Sequence, residues 1–366
     1  MSQPQLVVAA SYGPTGASTR VRVLEWLSVL GLDAEILDYL GTSDVRPRTL
    51  ARRPLEVLRA ERRLHRLRSR PAFERLLVSR SMGPFTGGRL EATLLRRADW
   101  GVYDFDDALH ADERGGIHRF FGESAGWAPA VAGADLVIAG NSYLADVAAE
   151  HNDRVEIIPS CVDPAGYPQK QHYEVGPVPR IIWVGSPSTE GYLQAVAPAL
   201  LEVHRLTGAR LTVVSAGDRP LGDLAPMTDR VQWDGARTDA LLAQADCGIM
   251  PLPDTPFTRG KCAYKLLQYG AAGLSAVAAP VGVNASVIRQ LDGYAAVEVD
   301  DWVDALVALL EEPEAARRTR GLAARRAVEE HYSYAAWRPA FRRALRLPDD
   351  GIARDTAQEG SAEPSR

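Results

Sequence analysis

RGKCAYKLLQYGAAGLSAVAAPVGVNASVI, from Arg259 to Ile288, is the stretch that decides the fold. Lys261 through Tyr269 reads as the start of a helix entered through Gly260. The apolar run Ser275–Ala279 reads as a short buried strand. Pro280-Val281-Gly282-Val283-Asn284 is then a turn into a second short helix. Helix, buried strand, small-residue turn and helix in 30 residues is the grammar of a parallel α/β sheet.

The same alternation extends on both sides. Towards the N-terminus of this half lie candidate strands Arg180–Val184, Leu211–Ala216, Val231–Asp234 and Cys247–Met250, and Ala295–Val299 follows. Before a proline-rich stretch, Cys161 to Arg180, a first series runs through Leu6–Ser11, Ala34–Asp38, Arg75–Ser79, Trp100–Phe105, Ala134–Ala139 and Val155–Ile158. The chain of 366 residues therefore reads as two Rossmann-like domains, 1–165 and 180–330, joined by a linker over 166–179. Helical patterns fill Asp301–Glu312, Glu314–Glu330 and Tyr334–Leu347, and the polar tail 348–366 reads as disordered.

Composition narrows the function. Hydrophobic content of 46% with 24% charged residues fits a globular chain with a core. No apolar run is long enough to span a bilayer, and the start of the chain lacks signal-peptide features. Three cysteines with no CxxC suit a reducing cytoplasm and argue against structural zinc. Of the 42 basic residues only Lys170, Lys261 and Lys265 are lysine. The segment Arg46–Arg80 carries twelve arginines against three glutamates, in a chain whose overall charge is −5. Such a patch fits an anionic membrane surface, an acidic carrier protein or plain solvent. Nucleic acid is disfavoured, because no recognition motif accompanies the charge.

Ligands of open parallel sheets bind beyond the carboxyl ends of the strands. The loops there are Gly13 to Gly16, Asp106-Asp107, Gly185 to Thr189, Pro251 to Lys261 and Pro280 to Asn284. Lys261 and Lys265, four apart at a helix start, put two ammonium groups where main-chain amides already favour anions, so a diphosphate is the natural ligand. The alternative is a solvated helix face. Gly282, Val283 and Asn284 have the form of an anion nest. Ser186 and Thr189 either donate to phosphate or cap the helix that follows, and capping is favoured for Thr189. Asp106 and Asp107 suit an acceptor-facing role better than metal, and helix capping or orienting an arginine remains open. Gly16 closes a turn that is not GxGxxG, while Arg20 and Arg22 beyond it face either the cleft or solvent. His110 and His118 are lone histidines, a type more often structural.

These stretches, with GVYDFDDAL (Gly101–Leu109), ADLVIAGNSYLADVA (Ala134–Ala148), VEIIPSCVD (Val155–Asp163) and IIWVGSPSTEGYL (Ile181–Leu193), resemble the retaining glycosyltransferases of the GT-B fold, family 4 (group 1) type. The resemblance covers nearly all of Gln5 to Leu347. It implies two Rossmann-like domains facing a cleft, an acceptor on the first, a nucleotide sugar on the second, and a C-terminal helix over 331–347 returning to the first domain. It also implies transfer with retention, no metal cofactor, and a leaving phosphate that takes the acceptor proton. The donor expected is a UDP-sugar, with UDP-GlcNAc as the specific candidate. The acceptor expected is a small molecule, free or carrier-bound, in natural-product, antibiotic or envelope biosynthesis.

This sequence departs from the family at its chemistry. The usual glutamates eight apart fall on Gly260 and Gln268, the second of which would hold the ribose. The usual arginine after Gly185 is Ser186, and its companion lysine is missing near Gly191. That shifts the diphosphate to Lys261 and Lys265. A nucleotide-sugar epimerase and a non-catalytic partner of another transferase are the competing readings.

Overall fold

The computed structural model describes residues 6–10, 12–14, 16–42, 47–111 and 123–348. The tail 349–366, His118, Arg46 and Thr15 lie outside them. Two six-stranded sheets, every pairing parallel, form the body of the chain. The first contains β1 (Val7–Ala10), β2 (Glu35–Asp38), β3 (Arg75–Ser79), β4 (Trp100–Phe105), β5 (Leu136–Ala139) and β6 (Val155–Ile157), in the order β2-β1-β3-β4-β5-β6. The second contains β7 (Arg180–Val184), β8 (Arg210–Ser215), β9 (Thr228–Gln232), β10 (Cys247–Met250), β11 (Ala276–Ala278) and β12 (Tyr294–Ala295), in the order β12-β11-β10-β7-β8-β9. Read from its switch point between β7 and β10, that is the dinucleotide-fold order.

Two strand assignments from the sequence move, each because a helix cap claims the residues. Asp234 is not in a strand: its side chain accepts from the Arg237 amide at 3.1 Å and starts the Gly235–Gln244 helix. Val297 and Glu298 likewise donate to Asp301, in a capping box that opens Val299–Glu311, so β12 stops at Ala295.

The linker is packed rather than free. Lys170 and Tyr173 are buried, with the Lys170 ammonium on the Ala245 carbonyl at 2.7 Å and the Tyr173 hydroxyl on Gly273. The main chain crosses between domains twice, and the two crossings are tied together by Val162 and the amides and carbonyls around Ser333. The helix Tyr334–Ala344 then lies on the first domain, where Phe341 stacks on Trp26 at 4.1 Å and the Tyr334 hydroxyl donates to the Val21 carbonyl. Among the described residues no helix is long and apolar enough to cross a membrane.

Arg22 does not reach the cleft or solvent. It lies in a π-helical turn, Arg20–Leu24, and is buried against the equally buried Asp104 of β4, with its Nη1 donating to the Ile158 carbonyl at 2.9 Å. A buried charge needs such pairing, because desolvation otherwise costs more than the attraction returns.

Candidate active site

Asp106 and Asp107 lie just beyond β4, where the first domain meets Lys261 and Cys262 of the second. Arg80, one residue past β3, holds both: its Nη1 donates to Asp106 at 3.0 Å and to Asp107 at 2.7 Å. Arg80 adopts a left-handed conformation, φ 66°, which costs an ordinary side chain strain. The Tyr103 hydroxyl, donating to the Arg80 carbonyl at 2.6 Å, helps fix it there.

Lys261 comes from the second domain and completes this cluster. Its Nζ donates to Asp107 at 2.6 Å and lies 4.5 Å from the centre of the Phe257 ring. Burial pushes the Asp107 carboxyl up, but Lys261 and Arg80 outweigh it and hold the group far below the ordinary carboxylate range. The Lys261 ammonium is raised in turn: burial opposes the charge and Asp107 more than restores it. Asp107 is thus a fixed anion, a poor proton acceptor at neutral pH.

This corrects the expectation that Lys261 and Lys265 share a helix face at the diphosphate. A capping box of Thr255 and Thr258 opens a separate short helix, Pro256–Arg259, which ends at Gly260. The next helix, Tyr264–Ala271, starts only after Ala263, whose φ is 54°. Between them residues 260–262 dock on the first domain. The Asn141 amide donates to the Gly260 and Lys261 carbonyls at 3.1 and 3.2 Å, and the Cys262 thiol donates to the Asp106 carbonyl. A Cβ on Gly260 would sit 2.6 Å from the Ala108 Cβ, so the position where relatives carry glutamate here has no room for any side chain.

Lys265 stands differently. It is the second residue of its helix, and its ammonium lies 5.5 Å from the centre of the Trp183 ring, with no hydrogen bond or ion pair among the described residues. Burial, aided by Lys261, lowers its pKa to about 8. The amides of Tyr264 and Lys265 open the helix, where no intrahelical acceptor exists. Gly185, at the end of β7, is needed for this wall: a Cβ there would meet the Trp183 ring at 2.3 Å. In the same loop the Ser186 hydroxyl lies 2.9 Å from that of Ser188, and Thr189 donates to the Ser186 carbonyl at 3.0 Å. The Thr189 side chain does not cap the helix behind it, which corrects that expectation.

The turn at Gly282 is only partly available. Gly282 has φ 56°, and a Cβ would clash with the Arg259 carbonyl at 2.4 Å, so the turn is wedged under the Pro256–Arg259 helix. Asn284 is wholly buried, donating to the Ala279 carbonyl at 3.2 Å, and its amide proton goes to Val281. Its main-chain amide is therefore already bonded within the turn, and its side chain lies in the core. The Gly282 and Val283 amides make no main-chain hydrogen bond among the described residues.

Gln268 is nearly buried on the second turn of its helix and donates to the Tyr167 hydroxyl at 3.3 Å. Gly16 caps the first helix with its carbonyl, accepting from the Arg20 amide, and lies against Tyr12. His110 packs on Trp127 and Tyr143, and burial lowers its pKa. Sequence reasoning passed over Arg80, Asn141, Tyr167 and Trp183. Asn141 alone left a signal, as the cap of the helix in the Ala134–Ala148 motif.

Comparison with known proteins agrees with this fold. The family model for group 1 glycosyl transferases matches residues 178–312, most of the second domain. Comparison with curated proteins finds no match. Among solved structures, WaaG, a glycosyltransferase of lipopolysaccharide biosynthesis, superposes with a TM-score of 0.65 at 16% identity, covering 93% of this chain and 99% of its own. HepE of Anabaena, solved with UDP and glucose, gives 0.65 at 12% identity over 94% and 100% of the two chains. A glycosyltransferase of avilamycin A biosynthesis gives 0.55 at 15% identity, over 94% and 97%.

Proposed function

We propose, from the premise that the chain is a GT-B-fold glycosyltransferase of the group 1 type using a nucleotide sugar, that it transfers a hexosyl or N-acetylhexosaminyl unit from a UDP-sugar to a small acceptor with retention. The observation that carries the reading is Lys265. A half-buried ammonium beside Trp183, with no ion pair among the described residues and at a helix start whose first amides have no intrahelical acceptor, suits an anion. A diphosphate seated there would neutralise it, and the same groups would stabilise the charge that develops as the sugar–phosphate bond breaks. Lysine and helix amides then do the work of a metal ion, so none is required.

In this reading the Asp107–Lys261–Arg80 cluster forms the acceptor wall. Its cations are spent on carboxylates, so it orients hydroxyl groups rather than gripping phosphate. No residue need act as base, since the departing phosphate can accept the acceptor proton. The Gly282 and Val283 amides stand ready for a phosphate or sugar oxygen.

The arginine-rich segment supports an anionic carrier for the acceptor. Arg53, Arg70, Arg75 and Arg80 are paired with carboxylates of the fold. Arg59, Arg62 and Arg66 instead project from the helix Pro54–Leu67 beside Leu55 and Leu58, which are 68% and 45% exposed. An acidic carrier protein or an anionic bilayer would meet both the charge and the apolar area. The deciding experiment is calorimetric titration of UDP, GDP, ADP and dTDP into the parent and into Lys265→Ala. Lysine-dependent binding of one diphosphate supports the reading, and the sugars of that nucleotide then define the acceptor screen. Absence of all binding would overturn it.

A further inference from the structure

Two cations and two carboxylates meet where the domains touch, and one of the cations, Lys261, is supplied by the second domain. Asp107 is shared between the cations. Its Oδ2 accepts from Arg80 at 2.7 Å and its Oδ1 from Lys261 at 2.6 Å. Asp106 accepts from the same Arg80 nitrogen at 3.0 Å, so the formal charges of these four groups cancel. Other groups crowd both cations. The Arg80 guanidinium lies 5.6 Å from the centre of the Tyr12 ring, and its Nη1 also donates to the Ser18 hydroxyl at 3.2 Å. The Lys261 ammonium has Phe257 at 4.5 Å. The four charged side chains are only 10–21% exposed, so salt and water screen them weakly. Both domains impose the arrangement. Asn141 and the Cys262 thiol fasten residues 260–262 to the first domain, which brings Lys261 onto Asp107.

We infer that Asp107 selects the acceptor by charge, admitting an uncharged hydroxyl compound and rejecting a phosphorylated or carboxylated one. The inference rests on the reading of this cluster as the acceptor wall. Arginine and lysine are the ordinary receptors for phosphate, and here a carboxylate already fills that place on both. An incoming phosphate would face two carboxylates in a weakly screened setting, and would reach either cation only by displacing Asp107. A hydroxyl meets no such opposition. It donates to a carboxylate oxygen and accepts from an ammonium N–H that Asp107 does not use. Selectivity of this kind comes from the repulsive group as much as from the attractive one. The two substrates are then told apart by charge: Lys265, with no ion pair among the described residues, takes the anionic donor, and the neutral cluster takes the uncharged acceptor.

The test asks whether removing the carboxylate creates an anion site. Inorganic phosphate and glucose 6-phosphate are titrated by calorimetry into Lys265→Ala, which keeps the Lys265 helix start out of the signal. The same titrations follow with Asp107→Asn added, and then with Lys261→Met added to both. Asp107→Asn should tighten both ligands at least about tenfold, the value of one charge-assisted hydrogen bond, and Lys261→Met should take that gain away. A merely structural Asp107 would give no gain, and that result in a protein with the parent's circular dichroism overturns the inference. Two results that need no change at Asp107 overturn it as well. One is phosphate binding to Lys265→Ala that Lys261→Met weakens tenfold. The other is turnover by the parent in which glucose 6-phosphate outruns glucose tenfold as acceptor. Failure of the nucleotide-sugar reading shows separately, as a parent that binds no nucleoside diphosphate.

Discussion

Replacing Lys265 with methionine should strengthen the fold and disable the site at once. The ammonium lies above Trp183 without a partner, and its pKa has fallen from 10.5 to about 8. Each pKa unit corresponds to about 1.4 kcal/mol, so the charged form carries a penalty of up to about 3 kcal/mol, reduced to ~1–3 by the side chain's partial access to water. The sign follows from linkage. Below pH 8 the group is charged in both folded and unfolded chains and the penalty is fully present. As pH rises from about 8 towards 10.5 the folded chain releases its proton first, so this group's penalty is relieved. Lys265→Met removes the penalty and keeps an unbranched apolar stem against the ring. Its denaturation midpoint at pH 7 should therefore rise, and the gain should vanish near pH 10.5. Nucleotide diphosphate affinity, measured by calorimetry, should drop, and turnover should fall roughly 10²–10³-fold. In the parent, affinity should weaken as pH passes 8, approaching tenfold per unit; in the variant this dependence should be absent. A variant that is no more stable than the parent, yet still binds nucleotide with the parent's pH profile, would refute the reasoning.

Other perturbations probe the contacts between and within domains. Gly260→Ala places a methyl 2.6 Å from Ala108, an overlap worth about 1–3 kcal/mol against the docked loop. Small-angle scattering should show a larger radius of gyration, and an unchanged profile would count against the packing. Arg22→Met strands the buried Asp104 and should cost about 3–5 kcal/mol in denaturant unfolding, most of it recovered when Asp104→Leu is added; a neutral single variant would contradict the pairing. Asp107→Asn releases Lys261 and Arg80 and should lower activity roughly 10²-fold through misplacement of the acceptor wall. Because the folded-state pKa of Asp107 is depressed, it stays charged from neutral pH down through the ordinary carboxylate range. The loss should thus be the same at pH 5 and pH 8. An acidic limb that disappears in the variant would show that Asp107 titrates during catalysis.

What the sequence determines here is whatever depends on near neighbours. Short apolar runs bounded by Gly, Pro and Asp specify strands and turns locally, so β3, β4, β7 and β10 have the ends read from sequence, and the parallel alternation follows. Where reading failed locally, at β9 and β12, acidic side chains cap the starts of helices in segments that looked like strand ends. The two lysines show the limit of such reading. Their spacing of four says that both fit one helix face, and nothing near them says that Gly260 must lie against Ala108. Only the folded chain brings Asp107, 154 residues away, to Lys261, and leaves Lys265 alone over Trp183. Helix and strand are settled by torsions and hydrogen bonds within a few residues. The partner of a charge is settled by which surfaces the two domains bury together, and that exists only in the tertiary structure.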